Sequence, residues 1–483
     1  MVYRLLLALL ASASVLIEWA SEAFSVSHHH HVQHYHESRH RWSCIPTMQK
    51  SSSSSSSSLH AETTNTASTS SKVVVLPSGE NYSTLTLLEH IHLLNTNVHK
   101  QSATNNDNDT DNKSNHNSNK SSEMIDFFIN TLGFGMDPKS VDSLLSSKGV
   151  VFVNAGPSQL HLNDDAEYCQ KLDELRQKEF TESSSSTLAS SSDKNVFEIG
   201  LRYNSLEELK KKLVNCSDVC SHDVASLEDG REIIRITDVY DRVFVAREVM
   251  MEDSNDNNDI DGSNNQDEPT ISSICQQKVI YNNSEEQDSS IPAEIVERYG
   301  IQTKQTSCRG MDFIEFFVYV TQEDAGNTVG KIARFYDFFF DASTSVVNDG
   351  KSDIAIIGFG KIDDNGRAEQ SLLFREVVVV VDDDPRQYYQ GVVNSDDLGT
   401  GHHIAIYVGN CDEDYEVAAS NCVDGGLLWV NPQFEDRVLD VDSAMECKQF
   451  RFKDIVDIET GETLYVLEHE IRSVSHPLFP GGK

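Results

Sequence analysis

Basic residues are scarce in this chain: 39 Lys and Arg stand against 77 Asp and Glu, a formal net charge of −38. Nucleic-acid binding rests on Lys and Arg neutralising phosphates, so this balance argues against a nucleic-acid partner. The excess acid reads as solvated surface and acidic loops. Long apolar runs are lacking as well. Leu5 to Ile17 is uncharged and ends at Glu18, which is the length of a signal-peptide core and too short for a bilayer span. Once a presequence is removed, nothing in the reading calls for a membrane. Cysteine is odd in number, with nine scattered residues, and so gives no disulfide framework. The closest pair, Cys216-Ser-Asp-Val-Cys220 with His222 nearby, lacks the second pair that a four-ligand zinc site needs.

What is present begins with targeting information. Met1 to Arg4 is a short positive segment before the apolar run, and Ala20-Ser-Glu-Ala-Phe24 resembles, with one extra residue, the Ala-Phe cleavage motif of plastid presequences in algae with secondary plastids. Ser25 to Lys72 is rich in Ser, Thr and His and holds only Glu37 and Glu62 as acids. The expectation is a signal peptide at 1–23, a transit-peptide-like low-complexity segment at 24–72, and plastid import. The alternative is a secreted or endomembrane protein, in which Asn81-Tyr-Ser and Asn119-Lys-Ser would be glycosylation acceptors. His28 to His31, with His34, His36 and His40, has metal-binding chemistry but sits in the segment expected to be cut off. The serine tract Ser51 to Ser58 cannot pack a core.

The rest is long enough for two or three domains. Leu85 to Asn95 reads as a strand, and an Asn/Asp/Ser-rich insert, 101–122, reads as a surface loop. In Met124 to Phe134 the residues Ile125, Phe128, Ile129 and Leu132 share one helical face, and Gly133 suits the left-handed residue after a helix. Gly149 to Gly156 and Ser158 to Leu162 are strands. A second set follows: strand Phe197 to Arg202, a helix from a capping box at Ser205 and Glu208 to about Val214, and strands Ile233 to Asp238 and Arg242 to Glu248. An acidic linker, 251–307, contains a run from Asn257 to Glu268 with calcium-loop spacing, in a stretch where Asn and Asp make such matches cheap. A third set has strand Asp312 to Tyr319, helix Gly330 to Asp341, and strands Asp353 to Phe359 and Gln370 onward.

The last set is the most informative. Gly401-His-His-Ile-Ala-Ile-Tyr-Val-Gly-Asn410 alternates like a half-buried strand. Asp412 to Asn421 is a helix, Leu427 to Val430 a short apolar run, and Phe450 to Glu470 two strands turned at Gly461. The resulting βαβββ unit, with His-Ile-Ala on its first strand, resembles the repeat of the vicinal oxygen chelate superfamily, to which glyoxalase I and the extradiol dioxygenases belong. That family's Asp-Pro turn has Ile458 in place of Pro here. Phe335-Tyr336 and Leu132-Gly-Phe134 match helix motifs of the same superfamily.

The resemblance implies an α+β fold of four βαβββ repeats paired into two half-open barrels. It places a first domain at 84–250 and a second at 308–476. Each unit would give one metal ligand from its first strand and one from its last, around a divalent ion, Fe, Mn, Ni or Zn, that chelates two neighbouring substrate oxygens. In the first pair these positions fall on His90, His161 and Glu198, with Val245 unable to ligate. In the second they fall on Phe313, on His403, and on a carboxylate, Glu376 or Glu468, whose register is open by two residues, with Val466 the alternative. His469, Arg472 and His476 are expected to form a polar cover, the alternative being that they line a pocket. Two functions follow: a metal-dependent lyase, isomerase or dioxygenase on a small vicinal-oxygen substrate, with a nearby carboxylate as base, or a metal-free protein that binds or sequesters a small molecule. No motif for a glutathione-linked reaction is present, and substrate and oligomeric state are not set by the sequence.

Overall fold

The computed structural model describes residues 74–75, 81–94, 124–137, 140, 150–163, 197–216, 219–227, 230–249, 307–379, 392–395, 399–432 and 437–479. The architecture is that of the unit Thr69–Val423 with Leu427–Lys483. The presequence, its histidine run and serine tract, the insert 101–122 and the calcium-type run 257–268 lie outside the described residues.

Each repeat follows one plan. Two short strands, β1 (Val74–Val75) and β2 (Asn81–Tyr82), precede the first. Repeat one has β3 (Leu85–Leu94), a π-helical turn (Phe127–Thr131), β4 (Gly135–Met136), β5 (Val150–Ala155) and β6 (Ser158–Asn163). Its turn buries Ile125, Phe128, Ile129 and Leu132, and Gly133 takes φ +72°. Repeat two has β7 (Phe197–Tyr203), α1 (Leu206–Leu213), β8 (Cys220–Ser226), β9 (Glu232–Asp238) and β10 (Val243–Glu248). Ser205 is the N-cap of α1 but makes no side-chain cap bond; the Leu206 N–H is met instead by Glu248 Oε2 at 3.4 Å. The expected capping box is therefore not formed there. A capping box does occur at Asp440 and Ser443, in a helix the sequence reading passed over.

Repeat three has β11 (Cys308–Val320), α2 (Thr328–Phe340), β12 (Thr344–Asn348), β13 (Asp353–Ile362) and β14 (Ala368–Val378). A small pair, β15 (Val392–Ser395) and β16 (Gly399–Gly401), leads to repeat four: β17 (His403–Val408), α3 (Asp412–Asp424), α4 (Val441–Cys447), β18 (Gln449–Val456) and β19 (Thr463–Ser473). Its middle strand is reduced to one bridge, Leu428 to Phe452. Gly461 supplies φ +74° in the turn before β19. The sequence reading missed β8 and β12 because both are largely solvated and carry no apolar alternation. Among the described residues no helix is long and apolar enough to cross a membrane.

The fold is α+β, and its four βαβββ repeats make two mixed sheets, but their pairing is not the one chain order suggests. One sheet runs β18-β19-β17-β3-β6-β5-β4, joining repeat four to repeat one. The other runs β1-β2-β13-β14-β11-β7-β10-β9-β8, with β12 on β13, joining repeat two to repeat three. The expected sequential pairing, one with two and three with four, is corrected accordingly. A local cause is visible at the β7–β11 seam. Gly200 stands opposite Phe313, and a Cβ on Gly200 would lie 2.2 Å from the Phe313 ring, so the missing side chain makes room for that ring.

The sheets are joined by α2, whose Phe335, Tyr336, Phe339 and Phe340 are buried. Phe335 and Phe340 both pack on Phe452 of β18, while Tyr336 packs on Phe374 of β14. Burying each such ring contributes about 1.5–3 kcal/mol.

Candidate metal centre

Four strands of the first sheet put polar side chains on one shared face. Cross-strand partners lie on the same side of a sheet. His403 of β17 pairs with Glu468 of β19, and Ala405 with Glu470. On the other flank Ala405 pairs with His90 of β3, and β3 pairs with β6 through His90–Gln159 and His92–His161. An apolar sheet face would be the cheaper core. This one concentrates ionisable groups, and nearly all of them are buried.

β3 does not run straight through this site. Against β17 its register steps from His90 opposite Ala405 to Leu88 opposite Ile406, so Glu89 is an extra residue, a β-bulge. Successive strand residues normally point to opposite faces. Here Glu89 Oε2 and His90 Nδ1 are 3.1 Å apart.

The result is a cluster of imidazoles. One ligand nitrogen from each of His90, His161 and His403 lies within 4.8 Å of the others. The rings of His90 and His161 stack at 3.7 Å, and His92 stacks on His403 at 4.8 Å. His161 Nε2 is 2.8 Å from Gln159 Oε1. Burial holds the His403 pKa well below the usual histidine range, reinforced by His92, His90, Arg451 and His161, so its imidazole is neutral.

Whether these residues suit a divalent ion can be tested on two features. His90 Nε2 is buried and has no hydrogen-bond partner, while its Nδ1 faces a carboxylate. A histidine backed by a carboxylate on one nitrogen and open on the other has the form of a metal ligand. The second feature is charge. Glu89, Glu468 and Glu470 are buried with Arg451 and Arg472, three carboxylates against two guanidinium groups. Three nitrogen donors beside this excess of carboxylates suit Fe, Mn, Ni or Zn.

The charges form a continuous chain. Arg472 donates to Glu89 Oε2 at 2.6 Å and to Glu470 Oε1 at 2.5 Å. Arg451 donates to Glu470 Oε2 at 2.6 Å and to Glu468 Oε1 at 2.9 Å. Asn431 Nδ2 reaches both Glu468 oxygens, at 2.9 and 3.0 Å. Burial raises the Glu470 pKa, but Arg451 and Arg472 overcome this and hold it below the usual value. Arg472 is buried, not part of a polar cover; His469 is buried too, with Nδ1 on the Leu467 carbonyl and Nε2 2.6 Å from the Tyr336 hydroxyl. His476 alone of that group is partly exposed.

Of the expected ligand residues, the structure thus brings together His90, His161 and His403, which the sequence reading had divided between two sites. Glu468 shares their sheet face but is held by Arg451 and Asn431. Glu198 lies in the other sheet, bound by both guanidinium nitrogens of Arg235. Near it Glu315 pairs with Arg375, which also holds Asp349. Burial raises the Glu315 pKa against the pull of Arg375. Among the described residues the second sheet gathers no comparable ligand group. Glu376, the other carboxylate weighed for a ligand, instead accepts the Gly326 and Val329 N–H groups at the start of α2. The sequence reading passed over His92, although it lies two residues from His90 on the same strand face, and it passed over Glu89 and Glu470.

No protein-family model matches the chain, and no curated protein matches its sequence. In fold the chain is similar to glyoxalase I from Zea mays, at 11% identity over 73% of this chain and 88% of that one, with a TM-score of 0.35. It is also similar to a lactoylglutathione lyase from Agrobacterium tumefaciens, at 13% identity over 34% of this chain and 92% of that one, TM-score 0.19. A member of the glyoxalase/bleomycin resistance protein/dioxygenase superfamily from Sphaerobacter thermophilus shows 13% identity over 34% and 98%, TM-score 0.20. Four βαβββ units in two mixed sheets give this chain its α+β fold.

Proposed function

We propose that the chain is a metal-dependent, glyoxalase-like enzyme, a lyase/isomerase or a dioxygenase, acting on a small substrate with two neighbouring oxygens. The observation that carries this is His90: a buried imidazole with a carboxylate on Nδ1 and no partner on Nε2, among the converging nitrogens of His161 and His403. These three residues would hold the ion. When bound, it supplies Lewis acidity toward neighbouring oxygens and, if it is iron, redox capacity.

The chain's own groups do the rest. Glu89 fixes which His90 nitrogen faces inward. Arg451 and Asn431 hold Glu468 on the His403 row, so a fixed carboxylate stands on the same sheet face as the three imidazoles.

A second reading, a metal-free small-molecule binder, is favoured by the ring stacking that already engages His90 with His161 and His92 with His403. Metal analysis separates the two. The chain from Lys72 onward, made without presequence or tag, is expected to carry about one Fe, Mn, Ni or Zn, and His90→Ala to lose it. A folded chain without metal would overturn the enzyme proposal and leave the binder.

A further inference from the structure

We infer that Gln370, a residue of the opposite sheet, is a positioning residue for His90, because it holds open the bulge that turns Glu89 and His90 to one face. This rests on the proposal that His90 is a metal ligand.

Gln370 sits on β14, in the sheet made by repeats two and three, and is fully buried. Its side chain crosses to the first sheet. Oε1 accepts the Leu88 N–H at 3.1 Å, and Nε2 donates to the Leu88 carbonyl at 3.3 Å and to Ser158 Oγ at 2.9 Å. Nε2 also reaches the Met311 carbonyl of β11 at 3.0 Å, which fixes the amide plane from its own side. Ser158 Oγ in turn donates to the Leu88 carbonyl at 3.1 Å.

Leu88 is the residue immediately before the extra one. The ladder between β3 and β6 starts only at His90 and Gln159, so the backbone of Leu88 is left short of a strand partner on that flank. A glutamine amide carries the same donor and acceptor as a peptide group, and Gln370 takes that partner's place. Buried backbone groups must be satisfied somewhere. If this pair is removed, the cheapest repair is for β3 to slip into a regular ladder. A one-residue slip moves a strand's side chains to the opposite face. Glu89 and His90 would then part, and the Nδ1 contact would be lost. Ser158 begins the strand that carries His161, so the same amide ties the strands of two of the three histidines.

A purely structural Gln370 would affect stability and leave His90 as it is. The test uses the full chain with histidine labelled in 15N, the His90 signals being assigned by their loss in His90→Ala. In the metal-free chain, Gln370→Met is expected to shift the His90 ring nitrogens as Nδ1 loses Glu89. Cobalt or zinc affinity is expected to fall about tenfold or more. Thr84→Val, which removes a bond from Thr84 Oγ1 to the Phe340 carbonyl away from the bulge, is the control and should move neither. Ser158→Ala removes one arm of the network and serves if Gln370→Met does not fold; it should shift the same signals by less. Unchanged His90 signals in the folded variant would overturn the inference, whether or not metal binds. Shifted signals in a chain that takes up no metal would keep Gln370 as the positioning residue and refute only the metal site.

Discussion

Glu315 of β11 stands directly opposite Glu198 of β7 across the antiparallel seam of the second sheet. Two buried carboxylates at the centre of a sheet repel one another. Each is balanced by its own guanidinium, Arg235 for Glu198 and Arg375 for Glu315. Salt bridges therefore occupy the equivalent face of this sheet, where its partner sheet has imidazoles.

Glu198→Gln should accordingly leave the metal content unchanged. Arg235 is 45% exposed, so the pair is screened and its loss should shift stability by no more than about 1 kcal/mol. Metal analysis with a urea melt checks both. Loss of the ion on this substitution would return Glu198 to the ligand set.

His403→Ala and His90→Ala should each abolish the same single ion, although the two residues belong to repeats at opposite ends of the chain. Two separate barrels would instead go from two ions to one. The stoichiometry of each variant, by mass spectrometry of the native chain, decides between them.

Arg451→Met leaves Glu468 and Glu470 short of their shared cation in a dry interior. Breaking a buried pair by removing one partner costs about 3–5 kcal/mol. Urea denaturation should show a loss of that size. A neutral result would mean that water reaches these carboxylates.

Tyr336→Phe removes the hydroxyl that donates to His469 Nε2. Burial pushes the His469 pKa down to about 3, so the ring stays neutral and its bare nitrogen cannot recover by protonation near neutral pH. The expected cost is about 1–3 kcal/mol, read from the same melt.

Asp412 supplies a pH test. Hydrogen bonds from Ser475, Lys448 and Ser473 hold its pKa at about 2. A depressed carboxylate stabilises the fold above its unfolded value, about 3.9, and loses that contribution as pH falls through the folded value. Thermal melts from pH 5 to 2 should fall less steeply for Asp412→Asn than for the parent chain. Parallel curves would show that the unfolded chain holds this group equally low.

The repeats themselves were legible because each is a local pattern: alternation in β17, the left-handed Gly133, the turn at Gly461. His90, His161 and His403 were legible one by one for the same reason. Their common destination was not, since strand partners are chosen over long range, and β3, β7, β11 and β17 carry similar alternation. The choice depends on details such as the absent side chain of Gly200 and the small Ala405 opposite His90. Arg472 was misjudged because sequence shows a cation near the chain end but not Glu89, 383 positions earlier, that takes it inside.

That separation has a consequence for how the protein is made. At about 5–20 residues per second, roughly 20–80 seconds pass between synthesis of Glu89 and of Arg472. Through that interval β3 has no β17 to cover its flank, and Glu89 has no counter-ion. The first repeat leaves the ribosome with a bare, aggregation-prone strand edge and waits for the fourth. A messenger truncated before β17 would thus yield a chain whose earliest strand never finds its neighbour.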